Sequence, residues 1–194
     1  MKFILIVFIF ATTLIAACSD NSSEQLEQFK INGTSQIKLL ASSLKKELVM
    51  AMQTQGPASA VSVCNIKAPE ITNHINASSE IKIKRTSLKL RNHKNAADGW
   101  EHKVLTMFAQ QHAEGIPASD MLYSERIENG DTTILRMMKA IPVQAVCLTC
   151  HGKEQQITEN VKKILSINYP NDEATGYTTG DLRGAFSISQ IIEK

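Results

Sequence analysis

Residues 124–142 read "SERIENGDTTILRMMKAIP" and contain a clear β-hairpin signal. Asn129 and Gly130 lie between two extended runs, and the dipeptide Asn-Gly is typical of the two-residue turn that joins antiparallel strands. The stretch therefore predicts two neighbouring strands of an antiparallel sheet.

Two further segments predict strands that extend this sheet. Residues 81–87, "IKIKRTS", alternate apolar and polar side chains, as a half-buried strand does. Residues 176–192, "GYTTGDLRGAFSISQII", predict a turn and a final strand or hairpin with Phe186 and Ile188 on one side.

Four segments carry apolar residues at helical spacing. The first ends at "QGP" in residues 55–57, Pro69 is expected to kink or divide the second, and Asp98 with Glu101 forms a capping box that opens the third. The apolar positions are Ile37, Leu40, Leu44, Leu48 and Met52; Val61, Cys64, Ala68, Ile71 and Ile75; Trp100, Val104, Met107 and Phe108; and Ile157, Val161, Ile164 and Leu165. Helices packed on an antiparallel sheet predict an α+β domain over residues 35–194.

The amino-terminus predicts export and a lipid anchor. After Met1 and Lys2 an apolar run leads to "LIAAC" at residues 14–18, which resembles the lipobox of bacterial lipoproteins. We therefore expect a signal peptide over residues 1–17, lipidation of Cys18, a polar tether over residues 18–34 and a periplasmic, membrane-anchored domain. Ser19 favours the outer membrane. The alternative is an ordinary secretory signal in which Cys18 is incidental.

The charge balance argues against nucleic acid as a partner. The chain of 194 residues has a formal net charge of +2 and no basic run.

The segment "CLTCH" at residues 147–151 has three chemical interpretations. A thioredoxin-like dithiol belongs in a repeating βαβ pattern, which is missing here. A structural zinc site needs about four ligands, and a second Cys/His pair is missing. Covalent attachment of a c-type haem accounts for both cysteines and the histidine, because Cys147 and Cys150 would form thioethers and His151 would ligate the iron. We therefore favour haem.

A second axial ligand must come from upstream, since no Met, His or Cys follows His151. We favour Cys64, an otherwise unpaired thiol on an apolar helix face, because thiolate is an established haem ligand. The alternatives that remain open are His74, His93, His102, His112, Met107, Met137 and Met138.

Haem propionates need cationic or hydrogen-bonding partners when they are partly buried. The segment "RTSLKLRN" supplies Arg85, Arg91 and Asn92, which we predict to contact them.

Four ordered motifs, "VCNIKAPEI", "RTSLKLRNHKNAADGWE", "CLTCHG" and "GYTTGDLRGAFSIS", resemble the PAS-like c-type haem family of cyanobacteria and proteobacteria, once described as a domain of unknown function. The resemblance implies a PAS-like antiparallel sheet preceded by helices. It also implies one covalent haem on Cys147 and Cys150, with His151 and Cys64 as axial ligands.

We expect a redox or ligand sensor that signals through a separate, unidentified protein, because the chain has no kinase, cyclase or methyl-accepting segment. The alternative is a membrane-anchored, single-haem electron carrier. We do not expect an enzyme, because the sequence gives no signal for a positioned acid/base pair.

Overall fold

The structure is a computed structural model that describes residues 21–193. The helices are α1 (Asn21–Gln55), α2 (Pro57–Ser62), α3 (Ala68–Ala77), α4 (Gly99–Ala113), α5 (Leu148–His151) and α6 (Glu159–Asn168). The strands are β1 (Lys82–Thr86), β2 (Leu122–Asn129), β3 (Thr132–Pro142) and β4 (Leu182–Glu193). A π-helical turn, Val63–Lys67, joins α2 to α3, and short 3₁₀ turns lie at His93–Asn95, Ala118–Asp120, Ala145–Cys147 and Glu154–Gln156. Within the described part of the chain, no helix is both long and apolar enough to cross a membrane.

The four strands form one antiparallel sheet in the order β1-β4-β3-β2. Asn129 pairs with Thr132 across the turn, and Gly130 has a φ of 58°, so the predicted hairpin is confirmed. The carboxy-terminal strand lies between the first and third, where Ile188 pairs with both Ile83 and Met137.

Helices cover both faces of the sheet, which confirms the α+β prediction. Helices α1 and α3 pack on the face that carries Ile83, Met137 and Ile188, whereas α4 packs on the face that carries Met138 and Ala185. Adjacent strand residues point to opposite faces, so Met137 and Met138 belong to different cores.

The tether predicted for residues 18–34 is wrong over residues 21–34, which form the first turns of α1. Phe29, Gly33, Ile37 and Leu40 recur every three or four residues and are buried on one face of this helix. Gly33 lets the helix approach the sheet closely, because a Cβ there would lie 2.7 Å from the terminal methyl of Met137. Residues 18–20 lie outside the described part of the chain.

The predicted helix around Cys64 is present, with a wide turn at its centre. The turn is marked by the Ala68 N–H, which donates to the carbonyl of Val63 five residues earlier. Pro69 follows at the second position of α3, and it has no N–H to give to the preceding turn. Cys64 therefore lies on a π-helical turn, a rare conformation that is often found at functional sites.

Candidate functional site

The segment that contains Cys147, Cys150 and His151 directly follows the end of the sheet. The pairing of β3 with β4 becomes irregular at Ile141 and Pro142, and the chain then turns through the 3₁₀ turn into α5. Neither cysteine is in a disulfide, and Cys64 is also a free thiol. Burial raises the pKa of the Cys150 thiol to about 11. Both cysteines are thus thiols, but only Cys147 lines the cavity described next, whereas Cys150 packs against the apolar cluster around Val61 and Val161.

A cavity of about 380 Å³ adjoins this segment and brings together residues from distant parts of the chain. Its apolar walls come mainly from the second half of α1, from the end of β3 and from Phe186 on β4, and both Cys64 and His151 line it. The lining that bears on the chemistry is Leu44, Lys45, Leu48, Cys64, Arg85, Arg91, Asn92, Cys147, His151, Tyr169, Arg183 and Phe186.

The imidazole of His151 is held in one tautomer. Its Nδ1 lies 2.6 Å from the carbonyl oxygen of Ala174, which can only accept, so Nδ1 carries the proton and donates. Burial lowers the pKa of His151 well below its usual value, and the charges of Arg183 and Arg91 lower it further. His151 is therefore neutral at pH 7, with the lone pair on Nε2, which is the form that binds a metal.

A short strap, residues 172–177, fixes the backbone around His151. The Tyr177 N–H donates to the carbonyl of His151 at 3.0 Å, and the Gly176 N–H donates to the carbonyl of Gly152 at 2.9 Å. The Ala174 N–H donates to Asp172 Oδ1 at 2.8 Å, which aims the Ala174 carbonyl at the imidazole.

Arg91 joins the strap to the cysteine motif. Its guanidinium forms an ion pair with Asp172 at 2.9 Å, and one nitrogen donates to the carbonyl of Cys150 at 2.6 Å. Another nitrogen lies 3.4 Å from His151 Nε2. Side-chain exposure is 7% for Arg91 and 11% for Asp172, so this is a buried pair. Arg91 is thus already engaged by protein groups on the His151 side of the cavity.

The other two residues predicted to contact propionates also line the cavity but have different surroundings. The Asn92 side chain accepts from the Lys94 N–H at 3.0 Å and caps a 3₁₀ turn. Arg85 makes no hydrogen bond or ion pair with any residue of the described chain, and burial lowers its pKa. The contacts of Arg85, Arg91 and Asn92 with haem propionates stay predictions.

Sequence reasoning missed Asp172, Tyr169 and Arg183. Arg183 lies within the "GYTTGDLRGAFSIS" motif, and it donates to Ser87 Oγ at 2.9 Å and to the Lys89 carbonyl at 3.1 Å. Tyr169 follows α6 and is 6% exposed. No local pattern marks either residue as part of a site.

The alternative ligands considered for the second axial position lie elsewhere. Among the described residues that line the cavity, Cys64, Cys147 and His151 are the only Cys, His or Met. Met137 and Met138 are 0% exposed in the two cores of the sheet, and Met107 packs on the α4 side. Over residues 21–193, no group of three or more His, Cys, Asp or Glu side chains could hold a metal ion.

We expect Asp172→Asn to lower the free energy of unfolding by about 3–5 kcal/mol, because the substitution leaves the buried guanidinium of Arg91 without its counter-charge. Urea unfolding of the purified protein measures this. The matched control is Glu173→Gln, an exposed neighbour, whose effect should be within about 0.5 kcal/mol. Equal effects of the two substitutions would contradict the assigned role of the pair.

Comparison with known proteins assigns the chain to a family. No curated protein sequence matches it. Among solved structures, it is similar to the crystal structure of the cyanobacterial heme-protein Tll0287, with a TM-score of 0.60 and 20% identity over 84% of this chain and 98% of that one. At this identity the similarity establishes the fold. The family described as Tll0287-like matches residues 11–190, which is most of the sequence, and the chain belongs to the Tll0287-like family.

Proposed function

We propose that this protein binds a single c-type haem, attached through thioethers to Cys147 and Cys150, with His151 as an axial ligand. The observation that carries the proposal is the cavity, in which His151, Cys147 and Cys64 lie together between apolar walls. Membership of the Tll0287-like family supports it, because the solved cyanobacterial structure is that of a heme-protein.

The residues present fit such a group chemically. A haem has a flat apolar body and two carboxylates, and the cavity offers Leu44, Leu48 and Phe186 together with basic side chains. The Ala174 carbonyl leaves the lone pair of His151 on Nε2, and the Arg91 nitrogen that lies 3.4 Å from this atom would have to give way to a bound iron. The two motif cysteines are free thiols. When bound, the haem iron would supply one-electron redox chemistry and an axial coordination position.

Cys64 is the second axial ligand in this proposal. It is the one cavity-lining donor of the Cys, His or Met type outside the "CLTCH" segment among the described residues. A thiolate is anionic and favours the oxidised iron, so the reduction potential should be low compared with His/Met ligation.

We propose a sensory rather than an enzymatic role. Support comes from the π-helical turn that carries Cys64, since such turns are often associated with functional sites. A ligand on this turn is a candidate for redox-dependent or ligand-dependent exchange. The signal would pass to a separate redox or signalling protein. Electron transfer is the outcome to expect if neither axial ligand exchanges.

The proposed location is the periplasmic side of a bacterial membrane, with the outer membrane favoured by Ser19. The support is the sequence "LIAAC" at residues 14–18, which ends at the candidate lipidation site, Cys18. Cys18 lies outside the residues that the structure describes.

Covalent attachment is tested on denaturing gels. The wild-type protein should keep haem peroxidase staining after denaturation, because thioether bonds survive. The double substitution of Cys147→Ser and Cys150→Ser should abolish staining, whereas the control Cys64→Ser should retain it. Extraction of the wild-type haem into acidic organic solvent would show that attachment is not covalent.

The role of Cys64 is tested by visible spectroscopy. Cys64→Ala should remove the sulfur-to-iron charge-transfer absorption of the oxidised protein and raise its reduction potential, because an anionic ligand is lost. Ser62→Ala, an exposed neighbour, is the control. An unchanged spectrum in Cys64→Ala would exclude this ligand. Binding of carbon monoxide by the reduced wild-type protein supports sensing. A reduced protein that does not bind carbon monoxide favours electron transfer.

Anchoring is tested with labelled fatty acid. The wild-type protein should incorporate the label, because the lipobox cysteine is acylated before the signal is removed. Cys18→Ser should lose the label and be released from membranes or remain unprocessed. Equal membrane association of the two proteins would argue against a lipid anchor.

A further inference from the structure

The cavity that contains Cys64 and His151 has a one-sided charge. Four basic residues line it, namely Lys45, Arg85, Arg91 and Arg183, and the described residues in its lining include no Asp or Glu. Of these four, Arg91 alone forms an ion pair within the described chain, with Asp172 outside the lining. Lys45 is exposed, but Arg85 and Arg183 are half-buried, and a partly buried cation without a counter-charge is costly unless a ligand supplies one.

Two cavity-lining side chains have unused hydrogen-bonding capacity: Arg85, which is half-buried, and Tyr169, which is buried. Arg85 and Tyr169 have no hydrogen bond from their side chains to any group of the described chain. Both residues line the same cavity as Cys64. Tyr169 is 6% exposed. Burial is the largest influence on the pKa of each group, and it lowers the pKa of Arg85 and raises that of Tyr169.

The backbones of both residues are anchored, Arg85 within a strand and Tyr169 directly after a helix. Arg85 lies on β1, opposite Phe186 on β4. The Tyr169 N–H donates to the Leu165 carbonyl at 2.7 Å, which fixes Tyr169 at the end of α6. The fold therefore fixes the backbone positions from which the two side chains extend.

We propose that Arg85 and Tyr169 form a binding subsite for the carboxylate of an organic molecule with an apolar body. A guanidinium presents its N–H donors as a planar fork that matches a carboxylate, and the phenol adds an O–H donor. The neighbouring walls, which include Leu44, Leu48 and Phe186, suit an apolar body better than a hydrated inorganic ion.

The bound carboxylate can come from two sources. One is a propionate of the haem, a source that rests on the proposed function. The other is a free carboxylate that enters the cavity from outside. Experiments on the purified, matured full-length protein distinguish them with the variants Arg85→Gln and Tyr169→Phe. The matched controls are Arg126→Gln and Tyr123→Phe, since both residues lie on β2 and neither lines the cavity.

The first experiment tests the propionate. Protein produced with a carboxyl-labelled δ-aminolevulinate carries isotope in its propionates, so their bands can be identified in a redox-induced infrared difference spectrum. Arg85→Gln and Tyr169→Phe should each shift a labelled carboxylate band, because each removes a donor to it. The controls should leave the band in place.

The second experiment tests a free carboxylate with sodium butyrate as the probe and sodium chloride at equal ionic strength as the reference. Saturable binding, followed by the visible spectrum and by isothermal calorimetry, should weaken at least tenfold in Arg85→Gln, since a charge-assisted hydrogen bond is lost. In Tyr169→Phe it should weaken at least threefold.

A band shift in both variants, or weakened butyrate binding in both, supports the subsite and identifies its source. The proposal is overturned if either variant matches the controls in both experiments. If Arg85→Gln does not mature, Arg85→Lys takes its place, because it keeps the charge but not the planar fork. If the protein carries no covalent haem, the proposed function is contradicted. The carboxylate subsite of Arg85 and Tyr169 is then tested by butyrate binding alone.

Discussion

The buried ion pair between Arg91 and Asp172 is the interaction on which the geometry of the site depends. Arg91 comes from the loop after β1 and Asp172 from the strap before β4, and the same guanidinium donates to the carbonyl of Cys150. Three segments that are distant in sequence are thereby held at one point. Because a buried charge that loses its partner is strongly destabilising, these segments have little freedom to separate. The orientation of His151, which is fixed by the Ala174 carbonyl, follows from that constraint.

The charge of the whole chain gives no indication of the charge inside the cavity. The net charge is only +2, yet the cavity is lined by four basic residues and, within the described chain, by no acidic one. Folding therefore partly buries the guanidiniums of Arg85 and Arg183, and among the cavity's basic residues Arg91 alone has an ion-pair partner in the described chain. Such an arrangement lowers the stability of the folded protein when no ligand is bound, and binding of an anionic group raises that stability. This is the physical argument for a ligand with carboxylates.

Sequence reasoning succeeded where the determining residues are neighbours. The hairpin at Asn129 and Gly130 and the capping box of Asp98 and Glu101 each depend on residues at most three positions apart, and the structure contains both.

The tether prediction failed over residues 21–34 because this stretch is largely polar, and burial of Phe29 and Gly33 against the sheet stabilises its helix. Likewise, Asp172 lies 81 residues from Arg91, and nothing local in the sequence indicates that they pair. The motif cysteines and His151 are candidates that the sequence alone suggests, whereas the residues that position them required the fold.

Helix α1 links the sheet to the cavity. Its first half is buried against the sheet through Phe29 and Ile37, and its second half contributes Leu44 and Leu48 to the cavity wall. A ligand that fills the cavity would cover these half-buried leucines and so stabilise the packing of the whole helix. The described part of this helix starts at Asn21, three positions after Cys18 in the sequence. If Cys18 is lipidated as proposed, the element that forms the cavity wall is also the one nearest the anchor, so a change at the cavity and the attachment to the membrane would act on the same helix.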